Sequence, residues 1–299
     1  MILRNFDTRN RCFMKGFTGC KTRSVFSISL LASALAFNAF VFQSQAVIIN
    51  LTHNNSLAQI NVDSQAGMFN WTVDGQQQLN QQWFWYRVAN NLEEFSIDTI
   101  SPPSITTPDA RTLYTRYNNG AYGVEVDYVL TGFSPGSGHS QISESITITN
   151  ATASPLAFHF FQYSDFEMAG TAGGDNVALG KNNQGLWNEA LQTEGNIVLS
   201  EIVSQSSTVP GANHAEANFY PNTLTALNDG AVTTLNDNGG PVGPGDVTWA
   251  FEWDFTLDPG SSFGISKLKD IQIPEPSALA LISLGLGALA LRRRGQRVG

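Results

Sequence analysis

The stretch VTWAFEWDFTL, from Val247 to Leu257, alternates along its whole length between large apolar side chains and smaller or polar ones. The odd-numbered positions are all apolar: Val247, Trp249, Phe251, Trp253, Phe255 and Leu257. The even-numbered positions are Thr248, Ala250, Glu252, Asp254 and Thr256. A period of two is typical of a β-strand with one face in a core and the other in water. The stretch therefore predicts a strand with one buried face and one hydrated face.

The same alternation recurs elsewhere in the chain. Residues 122–130 place Tyr122, Val124, Val126, Tyr128 and Leu130 on one face, with Glu125 and Asp127 on the other. Ile142, Ile146 and Ile148 continue the pattern, and turn sequences such as NATASP and DPGSS separate the strands. Residues 170–186 and 209–245, rich in Gly, Asn, Thr and Pro, are predicted to form long loops at the rim. The sequence thus predicts an all-β protein, an antiparallel β-sandwich in a single domain over residues 47–272.

The N-terminal 46 residues have the composition of an export signal. Six basic residues and one acidic residue, Asp7, lie in the first 24 positions. An apolar stretch follows from Val25 to Phe42, and the small residues Ser44 and Ala46 come next. This order predicts a signal helix in residues 1–46, with cleavage before Val47. An uncleaved N-terminal anchor is the alternative.

The last 27 residues, 273–299, combine a Pro-Glu-Pro motif, an apolar run and a basic end. Pro274, Glu275 and Pro276 precede an apolar run from Ala278 to Leu291, which three arginines follow: Arg292, Arg293 and Arg294. As a helix the run would be about 21 Å long, short of a hydrocarbon core of about 30 Å, although flanking residues can extend it. Arginines beside an apolar run favour a short transmembrane helix with its C-terminus on the cytoplasmic side. A buried core helix is the alternative.

This tail, residues 273–299, resembles the PEP-CTERM sorting signals of bacteria, which are also catalogued under the name of an ice-binding-protein C-terminal domain. The resemblance implies a protein exported by the general secretion machinery and held in the inner membrane by the C-terminal helix. An exosortase, a membrane transpeptidase, would then cut near the motif and release the body to the cell surface or extracellular matrix. Such systems usually accompany exopolysaccharide and biofilm production. The resemblance covers the tail alone and implies nothing about the ligand of the body.

Charge and cysteine content narrow the function classes. Six basic and 24 acidic residues lie between Val47 and Pro276, so this part has a net charge of −18, compared with −9 for the whole chain. A strongly anionic surface argues against nucleic acid or anionic lipid as a partner. Both cysteines, Cys12 and Cys20, lie in the predicted signal. The body therefore has no disulfide, thiolate metal site or cysteine nucleophile.

The heptad QQWFWYR, residues 81–87, is the most aromatic part of the body. On a strand, Trp83, Trp85 and Arg87 share one face, while Phe84 and Tyr86 share the other. Indole rings can stack on sugar rings, so Trp83, Trp85 and Arg87 form a candidate carbohydrate-binding set. The competing interpretation is a central strand of the sandwich that is buried on both faces.

Asp165 and Glu167 are the only candidate catalytic residues. On a strand their Cβ atoms would lie about 7 Å apart, near the separation of the acid and base in an inverting glycosidase. The alternative is an ordinary acidic strand end. The four histidines, His53, His139, His159 and His214, show no ligand spacing, so neither a metal nor a cofactor is predicted.

Three hypotheses follow for the function. The first is a non-enzymatic envelope or matrix protein associated with exopolysaccharide or biofilm. The second is a secreted carbohydrate-active enzyme using Asp165 or Glu167. The third is a purely structural surface sandwich whose aromatic strands all belong to the core. Burial of all six tryptophans would favour the third hypothesis.

Overall fold

The computed structural model of the chain describes residues 46–89, 93–203 and 211–274. The first nine strands are β1 (Ile48–His53), β2 (Ser56–Asn61), β3 (Gly67–Val73), β4 (Gln76–Gln77), β5 (Gln81–Val88), β6 (Phe95–Ser96), β7 (Ser104–Asp109), β8 (Thr112–Asn118) and β9 (Tyr122–Gly132). The next nine are β10 (His139–Asn150), β11 (Leu156–Asp165), β12 (Asp175–Lys181), β13 (Trp187–Glu194), β14 (Ile197–Val203), β15 (His214–Phe219), β16 (Val242–Gly245), β17 (Val247–Leu257) and β18 (Ser262–Gln272). The described helices are α1 (Asn222–Ala226) and two 3-10 turns, Ile97–Thr99 and Met168–Gly170.

The strands form two sheets. Sheet A has the order β1-β2-β3-β5-β11-β17-β15, with β4 paired to β3 and β6 paired to β5. Sheet B has the order β16-β12-β13-β14-β18-β10-β9-β8-β7. Every described pairing is antiparallel apart from a short parallel contact between β3 and β5. The prediction of an all-β antiparallel sandwich is confirmed.

The core lies between the two sheets. On β9 the predicted alternation is confirmed, since Val124, Val126, Tyr128 and Leu130 are buried while Glu125 and Asp127 are partly exposed. From sheet A, the inner face of β17 contributes large aromatic rings. Trp249, for example, donates its indole N–H to Gln192 on β13 of sheet B at 3.1 Å. The two sheets are thus joined by apolar packing and by buried polar contacts.

A group of four charged side chains also lies in this core: Glu144 on β10, Glu201 on β14, and Lys267 and Lys269 on β18. All four side chains are 0% exposed. The Nζ atoms of both lysines lie 2.7 Å from Oε2 of Glu144. Burial acts to raise the pKa of Glu144, but the two lysines outweigh it and hold that pKa below its usual value. The two carboxylates and the two ammonium groups have no net charge together, and this pairing offsets part of the cost of burying them.

The prediction of a hydrated face on β17 is wrong over most of the strand. Thr248, Ala250 and Glu252 are 0% exposed. Helix α1 packs against β15 and β17, and the backbone N–H of Leu235 donates to Glu252 at 2.8 Å. Residues 221–238, named here the covering segment, therefore lie over the outer face of sheet A. A period of two shows which residues share a face but not whether a later part of the chain covers it.

The predicted rim loops are partly wrong as well. Residues 170–186 contain strand β12, and residues 209–245 contain β15, α1 and β16. These strands are short and rich in Gly, Asn or Ala, so they have weak intrinsic strand propensity. They lie at or next to the ends of the two sheets, where each pairs with a neighbouring strand.

The two predicted flanking helices, in residues 1–46 and 278–291, lie outside the described residues apart from Ala46. Within the described part of the chain, no helix has the length and apolar character needed to cross a membrane.

Candidate functional site

The aromatic heptad lies on β5, a strand covered on both sides. Trp83 is 1% exposed and Trp85 is 0% exposed. The indole N–H of Trp83 donates to Ser96 Oγ at 2.8 Å, and that of Trp85 donates to Asn228 Oδ1 at 3.3 Å. All six tryptophans of the chain are buried, none more than 6% exposed. In this structure neither indole of the heptad is exposed to a ligand in solvent. Their burial agrees with the competing interpretation, a central strand that is buried on both faces.

Arg87 is buried in the same way and is held in an ion pair. Its Nε atom lies 2.8 Å from Oε1 of Glu94, and the two side chains are 7% and 0% exposed. The guanidinium also donates to the backbone oxygen of Thr233 at 3.3 Å, and the N–H of Thr233 donates to Glu94 at 3.0 Å. Arg87 and Glu94 thus fix the covering segment onto sheet A.

Beside this ion pair, strand register brings together histidines and carboxylates that are far apart in sequence. His159 on β11 pairs with Asp254 on β17, and His214 on β15 pairs with Glu252 on β17. His159 Nδ1 lies 2.5 Å from Asp254 Oδ1 and 3.9 Å from Glu252 Oε1. His214 Nε2 lies 3.8 Å from Asp254 Oδ2. The potential ligand atoms of His159, Glu252 and Asp254 all lie within 4.8 Å of one another.

Within this group Glu252 is the buried member. Its side chain is 0% exposed, whereas those of His159 and Asp254 are 24% and 31% exposed. Burial is the main cause that raises the pKa of Glu252 to about 8, and the nearby charge of Asp254 adds to the effect. The site therefore combines a sheltered carboxyl group with a carboxylate and an imidazole that solvent can reach.

Of the candidate catalytic residues, Asp165 is the last residue of β11, and Glu167 lies beyond the strand, directly before the 3-10 turn Met168–Gly170. Asp165 is 1% exposed, and its Oδ2 accepts a hydrogen bond from Asn80 at 3.0 Å. Burial raises the pKa of Asp165 to about 7, with further contributions from Asp246 and Glu167. Burial likewise raises the pKa of Asp175 to about 7 and that of Glu167 above its usual value. Several carboxyl groups thus oppose one another's ionisation in this part of the molecule.

An open groove lies near the start of β5. Its volume is about 460 Å³, and its lining includes Gln65, Gln81, Tyr220, Leu224 and Asn228. The Tyr220 side chain is 46% exposed. Gln81, the first residue of the aromatic heptad, donates its amide to the backbone oxygen of Gln65 at 2.7 Å. The groove offers an aromatic ring and several amide groups to solvent.

Sequence reasoning missed the histidine–carboxylate group. The signal in the sequence is the pair of acidic residues, Glu252 and Asp254, at alternate positions of VTWAFEWDFTL, where the alternation predicts the hydrated face of a strand. His159 lies 95 positions before its partner Asp254, and only the register of β11 with β17 brings the two side chains close. A single sequence does not specify that register.

The sorting residues begin where the last strand ends. Strand β18 ends at Gln272, and the N–H of Ile273 donates to the backbone oxygen of Gly138 at 2.7 Å. Pro274 is the last described residue; the other sorting residues, Glu275, Pro276 and Arg292 to Arg294, lie outside the described ranges.

Residues 272–294 match the family model of the PEP-CTERM protein-sorting motif, so the predicted sorting tail is confirmed. No curated protein matches the chain.

Solved structures resemble the body at low sequence identity. A bacterial glucoamylase complexed with acarbose has a TM-score of 0.52 and 10% identity, covering 81% of this chain and 36% of that one. A putative aldose 1-epimerase from Escherichia coli K12 has a TM-score of 0.49 and 10% identity, covering 77% and 100% of the two chains. A galactose mutarotase-like protein from Lactobacillus casei has a TM-score of 0.45 and 9% identity, covering 76% and 100%. The chain thus spans about a third of the glucoamylase, and that likeness shows a shared fold alone.

Proposed function

We propose that the chain is a bacterial surface protein that an exosortase processes, with a non-enzymatic β-sandwich body that associates with exopolysaccharide in the envelope or biofilm matrix. The observation that carries the proposal is the match of residues 272–294 to the PEP-CTERM sorting motif. The position of the motif supports it, because the last strand of the body ends at Gln272. Cleavage near Pro274 would therefore leave every strand that the structure describes in the product.

Intact mass and cell fractionation, with and without the host exosortase, test the sorting step. We expect a product that starts near Val47 and ends near Pro274, present only when the exosortase is active. A full-length product that still carries Arg292 to Arg294 and is the same in both strains would contradict the proposal. The tail would then act as a plain membrane anchor.

For the polysaccharide contact, the groove beside Tyr220 is better placed than the buried tryptophans. The ring of Tyr220 can pack on the C–H face of a sugar. The side-chain amides of Gln65, Gln81 and Asn228 can hydrogen-bond to the hydroxyl groups of the sugar. Three of the six basic residues of the body, Arg87, Lys267 and Lys269, are buried. The exposed surface is therefore strongly acidic, so a neutral polysaccharide is favoured over an acidic one.

The variant Tyr220→Ala tests this contact. Loss of one stacked ring removes about 0.5–1.5 kcal/mol, so we expect binding of the exported protein to neutral host exopolysaccharide to weaken about three- to tenfold. Tyr114→Ala is the matched control, because Tyr114 is also exposed, at 43%, but lies on β8 of sheet B. Equal binding by both variants and the wild type would favour the purely structural alternative, which the burial of all six tryptophans also favours.

A secreted carbohydrate-active enzyme is the second candidate. The observation in its favour is the raised pKa of Asp165, about 7, since a general acid works best when its pKa is near the working pH. Asp165 is only 1% exposed, which argues against an enzymatic role, because a polymeric substrate needs access to the acid. Release of reducing ends from exopolysaccharide by the wild type, but not by Asp165→Asn, would support the enzyme over the binding protein.

A further inference from the structure

We propose that His159, Glu252 and Asp254 form a binding site for a divalent transition-metal ion such as Zn²⁺. The three side chains lie on neighbouring strands, β11 and β17, and project from the same face of sheet A. One potential ligand atom from each residue lies within 4.8 Å of the other two. This spacing allows one ion to contact all three with small side-chain movements, because Zn²⁺ bonds to nitrogen and oxygen ligands at about 2.0–2.2 Å.

An unpartnered oxygen in Glu252 points independently to a ligand. Oε2 of this side chain accepts the N–H of Leu235 at 2.8 Å. Oε1 is buried and has no hydrogen-bond partner among the described residues. A buried carboxyl oxygen without a hydrogen-bond partner is costly, and native proteins satisfy such groups with hydrogen bonds or metal ions. Oε1 lies 3.9 Å from His159 Nδ1, so it is directed into the group.

The site is held in place by regular structure. Ladder pairing fixes His159 opposite Asp254, and Asp254 N–H also donates to Asn213 Oδ1 at 2.8 Å. Such support reduces the reorganisation that metal binding requires. His214 lies beside the group, with its Nε2 3.8 Å from Asp254 Oδ2 and its Nδ1 3.0 Å from Asp237 Oδ2.

The ligand types select the class of ion. Imidazole nitrogen with carboxylate oxygen suits Zn²⁺ and neighbouring transition metals, whereas Ca²⁺ and Mg²⁺ prefer oxygen ligands alone. A bound divalent ion displaces the proton of Glu252, so this side chain and Asp254 can together neutralise the charge of the ion. The nearby cation Arg87 is already paired with Glu94 at 2.8 Å. His159 and Asp254 are partly exposed, so an ion has a path from solvent.

Titration calorimetry of the exported, untagged protein with Zn²⁺ tests the proposal. We expect one Zn²⁺ per chain, and weakening by at least about tenfold in His159→Gln and in Glu252→Gln. Gln at position 252 can still accept the Leu235 N–H, and the melting temperature without metal shows whether each variant is folded.

The matched control is His139→Gln. His139 Nε2 lies 2.6 Å from Asp270 Oδ1 on sheet B, so it has the same imidazole–carboxylate chemistry without the third side chain. We expect Zn²⁺ affinity to be unchanged in this variant, and Ca²⁺ to give no measurable heat with the wild type. The proposal is overturned if the wild type binds no Zn²⁺, or if folded His159→Gln and Glu252→Gln bind as tightly as His139→Gln.

Discussion

Among single residues, Asp165 has surroundings that strongly oppose its charge. It is 1% exposed, one of its oxygens has no hydrogen-bond partner among the described residues, and burial raises its pKa to about 7. An unfolded aspartic acid has a pKa of about 3.9. Between these two values the folded protein binds a proton that the unfolded chain releases. The contribution of Asp165 to stability therefore falls as pH rises from about 4 to about 7 and is constant above that range.

Replacing Asp165 with Asn should remove this pH dependence. One pKa unit corresponds to about 1.4 kcal/mol, so we expect the variant to be more stable than the wild type at about pH 8, by up to a few kcal/mol. Below about pH 3 the difference should vanish, because Asp165 is then protonated in both the folded and the unfolded state. Thermal unfolding across this range, with a chelator present to exclude bound cations, provides the measurement. A less stable variant at about pH 8 would contradict the assignment.

At the scale of strands, the buried charges join β10, β14 and β18. Lys267 lies opposite Glu144 across the β10–β18 ladder, and Lys269 lies opposite Glu201 across the β14–β18 ladder. The Nζ atom of Lys267 also lies 4.8 Å from the centre of the Phe84 ring on sheet A. Because isolated buried charges are costly, these contacts restrict β18 to the register that pairs all four side chains.

The variant Lys267→Met should therefore be strongly destabilising, because it leaves a net negative charge in the core. We expect a loss of about 3–5 kcal/mol in the free energy of unfolding, measured by chemical denaturation. The double variant Glu144→Gln, Lys267→Met should lose less than the sum of the two single variants.

The control for this cycle is Arg116→Met. Arg116 lies 3.0 Å from Glu125, but these side chains are 55% and 42% exposed. A surface ion pair contributes about 0–1 kcal/mol, so its loss should be small. Strict additivity in the double variant would show that Glu144 and Lys267 are not coupled.

For the whole molecule, the sequence predicts the strands better than it predicts their surroundings. Alternation on β9 and β17 identified the residues that face the core, because burial between two sheets imposes a period of two. It did not show that residues 221–238 cover the outer face of sheet A. Their contacts depend on backbone N–H groups of Thr233 and Leu235 and on buried carboxylates, Glu94 and Glu252. Hydrogen bonds of this kind do not produce a hydrophobic pattern.

The candidate site was less predictable than the fold for a related reason. Asp165 and Glu167 are near neighbours in sequence, so their proximity follows from the chain itself, although β11 ends at Asp165 and Glu167 lies beyond it. His159 and Glu252 come together only through the ladder between β11 and β17. The burial of Trp83 and Trp85 likewise depends on elements outside their own strand, such as Asn228 in the covering segment.

The position of β18 has a mechanical consequence for a protein attached through its C-terminus. Strand β18 forms eleven residue pairs with β10 on one side and six with β14 on the other, and it ends at Gln272 beside the sorting motif. Tension applied after Gln272 would act along β18, perpendicular to the hydrogen bonds of both antiparallel ladders. The bonds would resist this shear together instead of opening one at a time. A body tethered at this end would therefore resist unfolding under tension more than one attached through a strand whose hydrogen bonds open in sequence.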